Sequence, residues 1–136
     1  MSQAANENKQ MDLSFKIADP SHQPNDTVQV LKFCPNNPQI LAAGCWDDTV
    51  RVYQLQPTRN LTQQINQNLG APVLDLAWNS QGNGLLVATG AASNNLVFVN
   101  LASPGSQPTP IGTHPGVLNL QYMVMNQTEI LVTLGA

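Results

Sequence analysis

The sequence has 136 residues, a net charge of −3 and only 10% charged residues, whereas charged residues make up roughly 25% of a typical globular domain. This length suffices for one domain with its own core, and five scattered basic residues exclude the basic patch of a nucleic-acid-binding domain. The first ten residues are polar and no apolar run approaches about 18 residues, so the sequence predicts neither a signal peptide nor a membrane span. We therefore expect a cytoplasmic or nuclear protein.

The chain begins with a polar stretch followed by a short alternating segment. Residues 1–12 are expected to form a disordered tail, because they contain too little apolar surface to pack. Leu13, Phe15 and Ile17 then alternate with polar residues, which predicts a β-strand. We expect residues 13–24 to contain this strand, as the closing strand of the fold predicted below, and a linker.

Three segments of the chain repeat at a spacing of about 45 residues. Four kinds of position keep the spacing: a starting valine, an aromatic residue, a leucine and a closing glycine. These sets are Val28, Val73 and Val117; Phe33, Trp78 and Tyr122; Leu41, Leu86 and Leu131; and Gly44, Gly90 and Gly135. Four matching positions in three copies indicate a repeated structural unit.

Each copy has the pattern of a series of short antiparallel strands. An alternating strand leads through a Pro/Asn/Gly turn into an apolar run, and a polar corner then leads to a third strand. A fourth, more polar strand is expected near residues 60–66 and 108–113. Four short strands in 40–45 residues are typical of one propeller blade. The sequence therefore predicts an all-β propeller of two and a half blades, with blade 1 in 25–69, blade 2 in 70–113 and the first half of blade 3 in 114–136.

Two and a half blades leave two apolar faces without a neighbouring blade. Units of this kind depend on their neighbours for stability, so we expect the N-terminal part of a longer propeller, which does not fold stably alone. The alternative is that several copies assemble into a ring, which would also cover the open sheet edges.

The two cysteines, Cys34 and Cys45, lie in neighbouring apolar runs. In a hairpin whose loop is residues 35–39, they would lie at opposite ends of the ladder. About five residues, each about 3.3 Å long, would separate them. That distance excludes a disulfide. We expect both to be reduced thiols that pack as small hydrophobic side chains.

Adjacent carboxylates stand at the corner between the second and third strands of the first copy. Successive residues of an extended segment point to opposite sides, so Asp47 and Asp48 are not expected to hold one metal ion or to act as a catalytic pair. A carboxylate in a tight turn instead accepts backbone N–H groups. This predicts Asp47 as the structural turn residue and Asp48 as a solvated one. In the second copy, Ser93 or Asn94 is expected to replace the aspartate.

Residues that could carry catalysis form no recognisable pattern. His22 and His114 are isolated, and neither a Ser-His-Asp order nor a Gly-rich phosphate loop occurs. We expect no catalytic, metal-binding or cofactor-binding residues, and no enzymatic activity. Trp46 beside the turn aspartate is either a surface anchor for a partner or a residue that packs against the neighbouring blade.

Two strings carry a resemblance to known proteins. GCWDDTVRVY, residues 44–53, resembles the corner of a WD repeat, where an upstream histidine usually joins the turn network; His22 is the candidate here. Two longer stretches resemble the nuclear mRNA export factor family that binds a nucleoporin motif called GLEBS. They are residues 18–56, which contain PSHQPNDTV, FCP and AAGCW, and residues 70–82, GAPVLDLAWNSQG. The resemblance spans residues 13–136, but the second corner (AASNN) departs from the family, and most of its basic residues are missing.

This resemblance implies a non-enzymatic seven-bladed scaffold that binds a nucleoporin GLEBS peptide on its top face and supports mRNA export at the nuclear pore, shuttling to the cytoplasm. Contacts with mRNA or its protein complexes would use segments outside these 136 residues. The blade geometry predicts peptide contacts from the loops before the first strands and from the second-to-third-strand corners. These residues are Asp26, Thr27, Trp46, Asp48, Ala92 and His114. The alternatives are the related spindle-checkpoint adaptor, which binds GLEBS-like kinase segments, and a generic WD-repeat interaction module.

Overall fold

The computed structural model describes residues 14–114 and 117–135, and within them the chain forms eleven β-strands and one 3₁₀ turn, Pro20–His22. The strands are β1 (Lys16–Ile17), β2 (Val28–Cys34), β3 (Asn37–Cys45), β4 (Thr49–Leu55), β5 (Asn60–Asn68), β6 (Val73–Trp78), β7 (Gly84–Thr89), β8 (Leu96–Asn100), β9 (Thr109–Gly112), β10 (Val117–Met125) and β11 (Thr128–Gly135). The predicted all-β class is confirmed. In these residues no helix has the length and apolar character needed to cross a membrane.

The strands form three sheets that follow the three sequence repeats. The first sheet has the order β1-β5-β4-β3-β2, the second β6-β7-β8-β9, and the third pairs β10 with β11. Apart from β1, neighbouring strands are antiparallel and consecutive in the chain. Among the first strands of the repeats, β6 contacts both β2 and β10, so the sheets stand side by side like blades around an axis.

Strand β1 lies on the outer edge of the first sheet. It pairs in parallel with β5, and Lys16 and Ile17 face Asn60 and Leu61. Leu13, which the alternation assigned to the same strand, and the predicted tail 1–12 lie outside the described residues. The role of β1 as a closing strand stays a prediction, because its partner here belongs to the first sheet.

The sheets pack through two apolar layers. Between the first and second sheets the layer contains Cys34, Ala42, Val50, Val52, Val73, Leu76, Trp78, Leu85, Val87 and Val99. Between the second and third sheets it contains Ala77, Leu86, Ala88, Leu96 and Leu120, with Phe98 and Leu131 beside them. Residues of the second sheet thus alternate between the two layers, as expected for strands buried on both faces.

Two of the four repeat positions, the leucine and the glycine, were aligned wrongly. By register Gly44 corresponds to Ala88 rather than to Gly90. Tyr53 pairs with Leu41 and lies on the side of the first sheet away from the second, whereas Leu86 points from the second sheet towards the third. Leu85, which pairs with Trp78 as Leu41 pairs with Phe33 and packs against the first sheet, is therefore the true counterpart of Leu41. The connection between β6 and β7 is one residue shorter than that between β2 and β3, and since side chains alternate with period two, this places Leu86 on the opposite face.

Asp75 ties the first strands of all three sheets together. Its side chain is buried, and one carboxylate oxygen accepts the Leu120 N–H of β10 at 2.6 Å. The other oxygen accepts the Leu76 N–H at 2.9 Å and lies 3.6 Å from the ammonium nitrogen of Lys32 on β2. Hydrogen bonds to backbone and an adjacent cation compensate the burial of this charge.

Both cysteines are buried free thiols, as predicted. The register pairs Val28 with Cys45 and Cys34 with Asn37, so the thiols lie at opposite ends of the β2–β3 ladder. Each packs in a different apolar cluster.

Candidate binding surface at the strand corners

Two corners and the loops beside them form a candidate binding surface at one end of the sheets. The first corner consists of residues 46–48 with the preceding loop 25–27, and the second consists of residues 90–95 with the loop 113–114. In the first corner, the Trp46 N–H donates to the Thr27 carbonyl at 2.8 Å. In the second, the Gly90 N–H similarly donates to the Pro72 carbonyl at 2.9 Å. Backbone hydrogen bonds thus hold each corner against the loop that precedes its own sheet.

Asp47 is the centre of the first corner. One carboxylate oxygen accepts the Thr49 N–H at 3.2 Å and also the Thr49 hydroxyl. The other accepts the Asn25 N–H at 2.9 Å and a guanidinium N–H of Arg51 at 3.0 Å. A carboxylate with these partners holds both the turn and the loop before β2, which is the role expected of a turn aspartate.

These contacts favour the ionised form of Asp47. Burial alone would raise its pKa, but hydrogen bonds from Thr49, Asn25 and Arg51, together with the Arg51 charge, hold the pKa below its ordinary value. The Asp47 and Arg51 side chains are only 10% and 4% exposed, so solvent screens this ion pair weakly.

Arg51 extends the network to the N-terminal segment, a role that was not predicted from the sequence. Its guanidinium donates to the His22 carbonyl and to the Gln63 side-chain oxygen, each at 3.2 Å, and its Nε–H donates to the Thr49 hydroxyl at 3.1 Å. The Tyr53 hydroxyl donates to the same His22 carbonyl at 2.7 Å. His22 therefore joins the network through its backbone, while its imidazole lies 3.7 Å from Asp19.

Trp46 presents a large exposed apolar group at the first corner. Its side chain is 47% exposed, and its indole N–H donates to the Gln29 side-chain oxygen at 3.0 Å. This hydrogen bond orients the ring, while about half of its surface stays in contact with solvent. An oriented, half-exposed indole is a favourable anchor for a binding partner.

In the second corner the side chain that bonds a neighbouring loop is the amide of Asn95, which stands at the register position of Thr49 rather than that of Asp47. The Asn95 side chain donates to the His114 carbonyl and accepts the His114 N–H, both at 2.8 Å. The Asn94 N–H donates to the Thr113 hydroxyl at 2.9 Å, and Ser93 is exposed. Asn95 is buried and bears no charge, so this corner needs no cation to compensate it.

The structure places the six predicted contact residues in two groups at this end of the molecule. Asp26 and Thr27 are exposed, Asp48 is half-buried, and all three adjoin Trp46 in the first corner. Asp48 has a left-handed backbone with φ of 71°, which aspartate tolerates better than most residues. The second group comprises Ala92 and His114, both exposed. Their contact with a partner stays a prediction.

Two observations concern metal ligands and thiols near this surface. Among them no group of three or more histidine, cysteine or acidic residues is placed to hold a metal ion. Cys45 is the thiol next to the first corner, and burial, with the nearby Asp47 charge, raises its pKa. A raised pKa keeps the thiol protonated and unreactive.

Comparison with known proteins places the chain among its relatives. It is 35% identical to the mRNA export factor rae-1 of Caenorhabditis elegans over 114 residues, which cover 81% of this chain and 29% of that protein. The chain is a homologue of the Rae1-type mRNA export factors. It is also 30% identical to Protein Rae1 of Drosophila melanogaster, covering 90% of this chain and 34% of the relative. A third relative, the Poly(A)+ RNA export protein of Schizosaccharomyces pombe, is 30% identical over 87% of this chain and 33% of its own length.

The chain thus spans about a third of the length of these Rae1-type relatives. No family model matches it. A chain in a solved structure of a mitotic checkpoint complex matches with a TM-score of 0.61 and 20% identity, over 83% of this chain and 34% of that one. This match confirms the WD-repeat propeller fold and concerns the fold alone.

Proposed function

We propose that this chain forms part of a non-enzymatic WD-repeat scaffold that acts in mRNA export at the nuclear pore. The support is its homology to mRNA export factors combined with the candidate binding surface at the strand corners. The proposed partner is a nucleoporin peptide of the GLEBS type, and the scaffold shuttles between nucleus and cytoplasm.

The observation that carries this proposal is the environment of Trp46. The indole is 47% exposed and oriented by Gln29, and the Trp46 backbone N–H donates to the carbonyl of the exposed Thr27. Large aromatic residues with a polar rim are the usual centres of binding energy in protein interfaces. A peptide that covers this ring would bury apolar surface and use the rim for hydrogen bonds.

Titration of the chain with a tryptophan-free synthetic GLEBS peptide tests the proposal. The protein has two tryptophans, of which Trp78 is only 7% exposed, so a blue shift of the emission on binding would report mainly Trp46. We expect Trp46→Ala to weaken binding about tenfold or more, because a truncated anchor costs at least about 1.4 kcal/mol. Since this variant lacks the fluorescent reporter, isothermal titration calorimetry measures the affinity of both proteins.

Phe15→Ala is the matched control, since Phe15 is an exposed aromatic residue (40%) outside both corners. It should leave the affinity unchanged. Absence of peptide binding by the folded chain, or equal affinity of the Trp46→Ala variant and the wild type, would remove GLEBS recognition from the proposal.

A further inference from the structure

The turn between β6 and β7 contains Asn83 followed by Gly84, the one Asn-Gly pair in the 136 residues. Asparagine is a chemically labile residue, and it deamidates most readily before glycine, because no Cβ hinders attack by the glycine nitrogen. Asn83 is exposed, so water reaches it. Gly84 is buried, and a Cβ at this position would overlap the ring of Phe98. Packing therefore requires the glycine of this reactive pair.

Asn79 holds both members of the pair. Its side-chain oxygen accepts the N–H groups of Asn83 and Gly84, at 3.0 Å and 3.1 Å, and its side-chain nitrogen donates to Oδ1 of Asn83 at 2.7 Å. The Asn79 N–H also donates to the Gly84 carbonyl at 3.0 Å. Asn79 is only 8% exposed, so water competes little for these hydrogen bonds. One buried side chain thus fixes both the nitrogen that would attack and the amide that would be attacked.

The remaining polar groups of Asn83 are bound as well. Its Nδ2 group donates to the Gln81 side-chain oxygen at 3.3 Å, and its carbonyl accepts the Leu101 N–H at 3.0 Å. Deamidation begins when the Gly84 nitrogen reaches Cγ of Asn83, which requires the side chain to fold over its own backbone. Both ends of the side-chain amide and both backbone groups are held, so Cγ reaches this position only when the turn opens.

We propose that Asn83 is a deamidation site that Asn79 keeps closed in the folded chain and that reacts when this turn opens locally. The Gly84 nitrogen then loses its proton and forms a bond to Cγ of Asn83, the Cγ–Nδ2 bond breaks, and Nδ2 leaves with that proton as ammonia. Water hydrolyses the resulting succinimide at either carbonyl, which gives aspartate or isoaspartate. The reaction needs water and no oxidant or reductant.

This modification would loosen the contact between the first and second sheets. The same turn touches the turn after β2: the Asn36 side chain donates to the Gln81 carbonyl at 3.2 Å, and the Cys34 thiol donates to the Gly82 carbonyl at 3.8 Å. Isoaspartate adds a methylene group to the backbone beside these contacts, and both products lose the Nδ2 donor and gain a negative charge. The turn lies at the end of the strands opposite to Trp46, so the proposal is independent of peptide binding there.

Peptide mapping by mass spectrometry tests the proposal. The chain is incubated at mildly alkaline pH in native buffer, where far-UV circular dichroism establishes that it is folded, and in parallel in guanidinium chloride. We expect Asn83 to deamidate about tenfold or more slowly in the folded chain, the factor that corresponds to about one hydrogen bond. Isoaspartate at residue 83 identifies the succinimide route, because direct hydrolysis of the side-chain amide gives aspartate alone.

Two variants of the same turn separate the role of Asn79 from general loosening of the turn. Asn79→Ala removes three side-chain hydrogen bonds to Asn83 and Gly84 and should accelerate deamidation of the folded chain about tenfold or more. Gln81→Ala is the matched control, because it removes one long hydrogen bond to Nδ2 and leaves the Gly84 N–H bound. Its rate should stay within about twofold of the wild-type rate.

The comparison of folded and denatured wild type needs no variant, so it tests the proposal even if Asn79→Ala does not fold. Equal rates in these two states would overturn the proposal. A folded Asn79→Ala variant that deamidates no faster than Gln81→Ala would show that Asn79 does not protect the pair. Aspartate without isoaspartate at residue 83 would exclude attack by the Gly84 nitrogen.

Discussion

The ion pair between Asp47 and Arg51 offers the sharpest test of how the first corner is held. Asp47→Asn keeps the size of the side chain and removes its charge. Arg51 then remains buried, with its side chain 4% exposed, and retains only neutral acceptors on His22, Gln63 and Thr49. Removing one partner of a buried ion pair typically costs about 3–5 kcal/mol, and the neutral acceptors place this case near 3 kcal/mol.

Urea unfolding followed by tryptophan fluorescence, at one fixed chain concentration, measures this cost. For a chain of this size the free energy of unfolding falls by about 1–3 kcal/mol per molar urea, so 3 kcal/mol should lower the midpoint by about 1 M or more. Asp48→Asn is the matched control. It removes the neighbouring carboxylate from the same turn, and asparagine accepts the left-handed φ of 71° at that position. Its free energy of unfolding should change by less than about 0.5 kcal/mol.

The double variant Asp47→Asn/Arg51→Met identifies the source of the effect. If the cost arises from an uncompensated buried charge, replacing both partners should cost less than the sum of the single changes, by about 1–3 kcal/mol. Strict additivity, or an Asp47→Asn cost no larger than that of Asp48→Asn, would refute the assignment of the corner's stability to this pair.

Two further predictions concern packing and pH. A Cβ atom on Gly44 would lie 2.5 Å from Cγ1 of Val73 in the second sheet, so Gly44→Ala should cost about 1–3 kcal/mol by separating the first two sheets. Gly112→Ala, where no atom lies within 4 Å of the added Cβ, should cost less than about 0.5 kcal/mol in the same urea assay; equal costs would contradict the packing argument. Since the folded-state pKa of Asp47 is depressed, its contribution to stability is complete above its ordinary pKa of about 3.8 and is lost as the pH falls through the lower folded-state value. Unfolding free energies measured from pH 7 to pH 2 should fall less steeply at the acid end for Asp47→Asn than for wild type, and parallel curves would exclude this linkage.

Alternation and repeat spacing predicted the strands, because the positions of the strands depend on the local order of apolar, polar and turn residues. The alternating residues before Phe33 and Trp78 form β2 and β6, and the apolar runs that follow form β3 and β7. The leucine position failed for a physical reason: alignment by residue type tolerates a shift of one residue, whereas a strand with two different buried faces does not. The register of β7 against β8, which pairs Leu86 with Phe98, shows which face of the second sheet Leu86 belongs to. This register could not be read from the sequence.

The polar partners of the corners were harder to predict, because they come from distant parts of the chain. Arg51, the one charged residue of strand β4, was a signal for a buried partner, since arginine is rarely buried unless paired. Its contact with the His22 carbonyl, 29 residues away, had no such signal. The hydrogen bond between the Trp46 indole and Gln29 also had no signal in the sequence, because glutamine in an exposed strand position usually contacts water.

The two corners differ in length by two residues and are held by different chemistry, with different consequences. Asp47 carries a charge that must be matched by Arg51, and through the His22 carbonyl this charge also fixes the N-terminal segment. Asn95 satisfies both backbone groups of His114 without a charge, and it therefore links its corner only to the loop before β10. A carboxylate with an arginine recruits a third segment of chain, whereas an amide does not. The corner that bears the exposed Trp46 is consequently also the corner whose surroundings are held by ionic contacts, and we expect acid to loosen this part of the surface before the second corner.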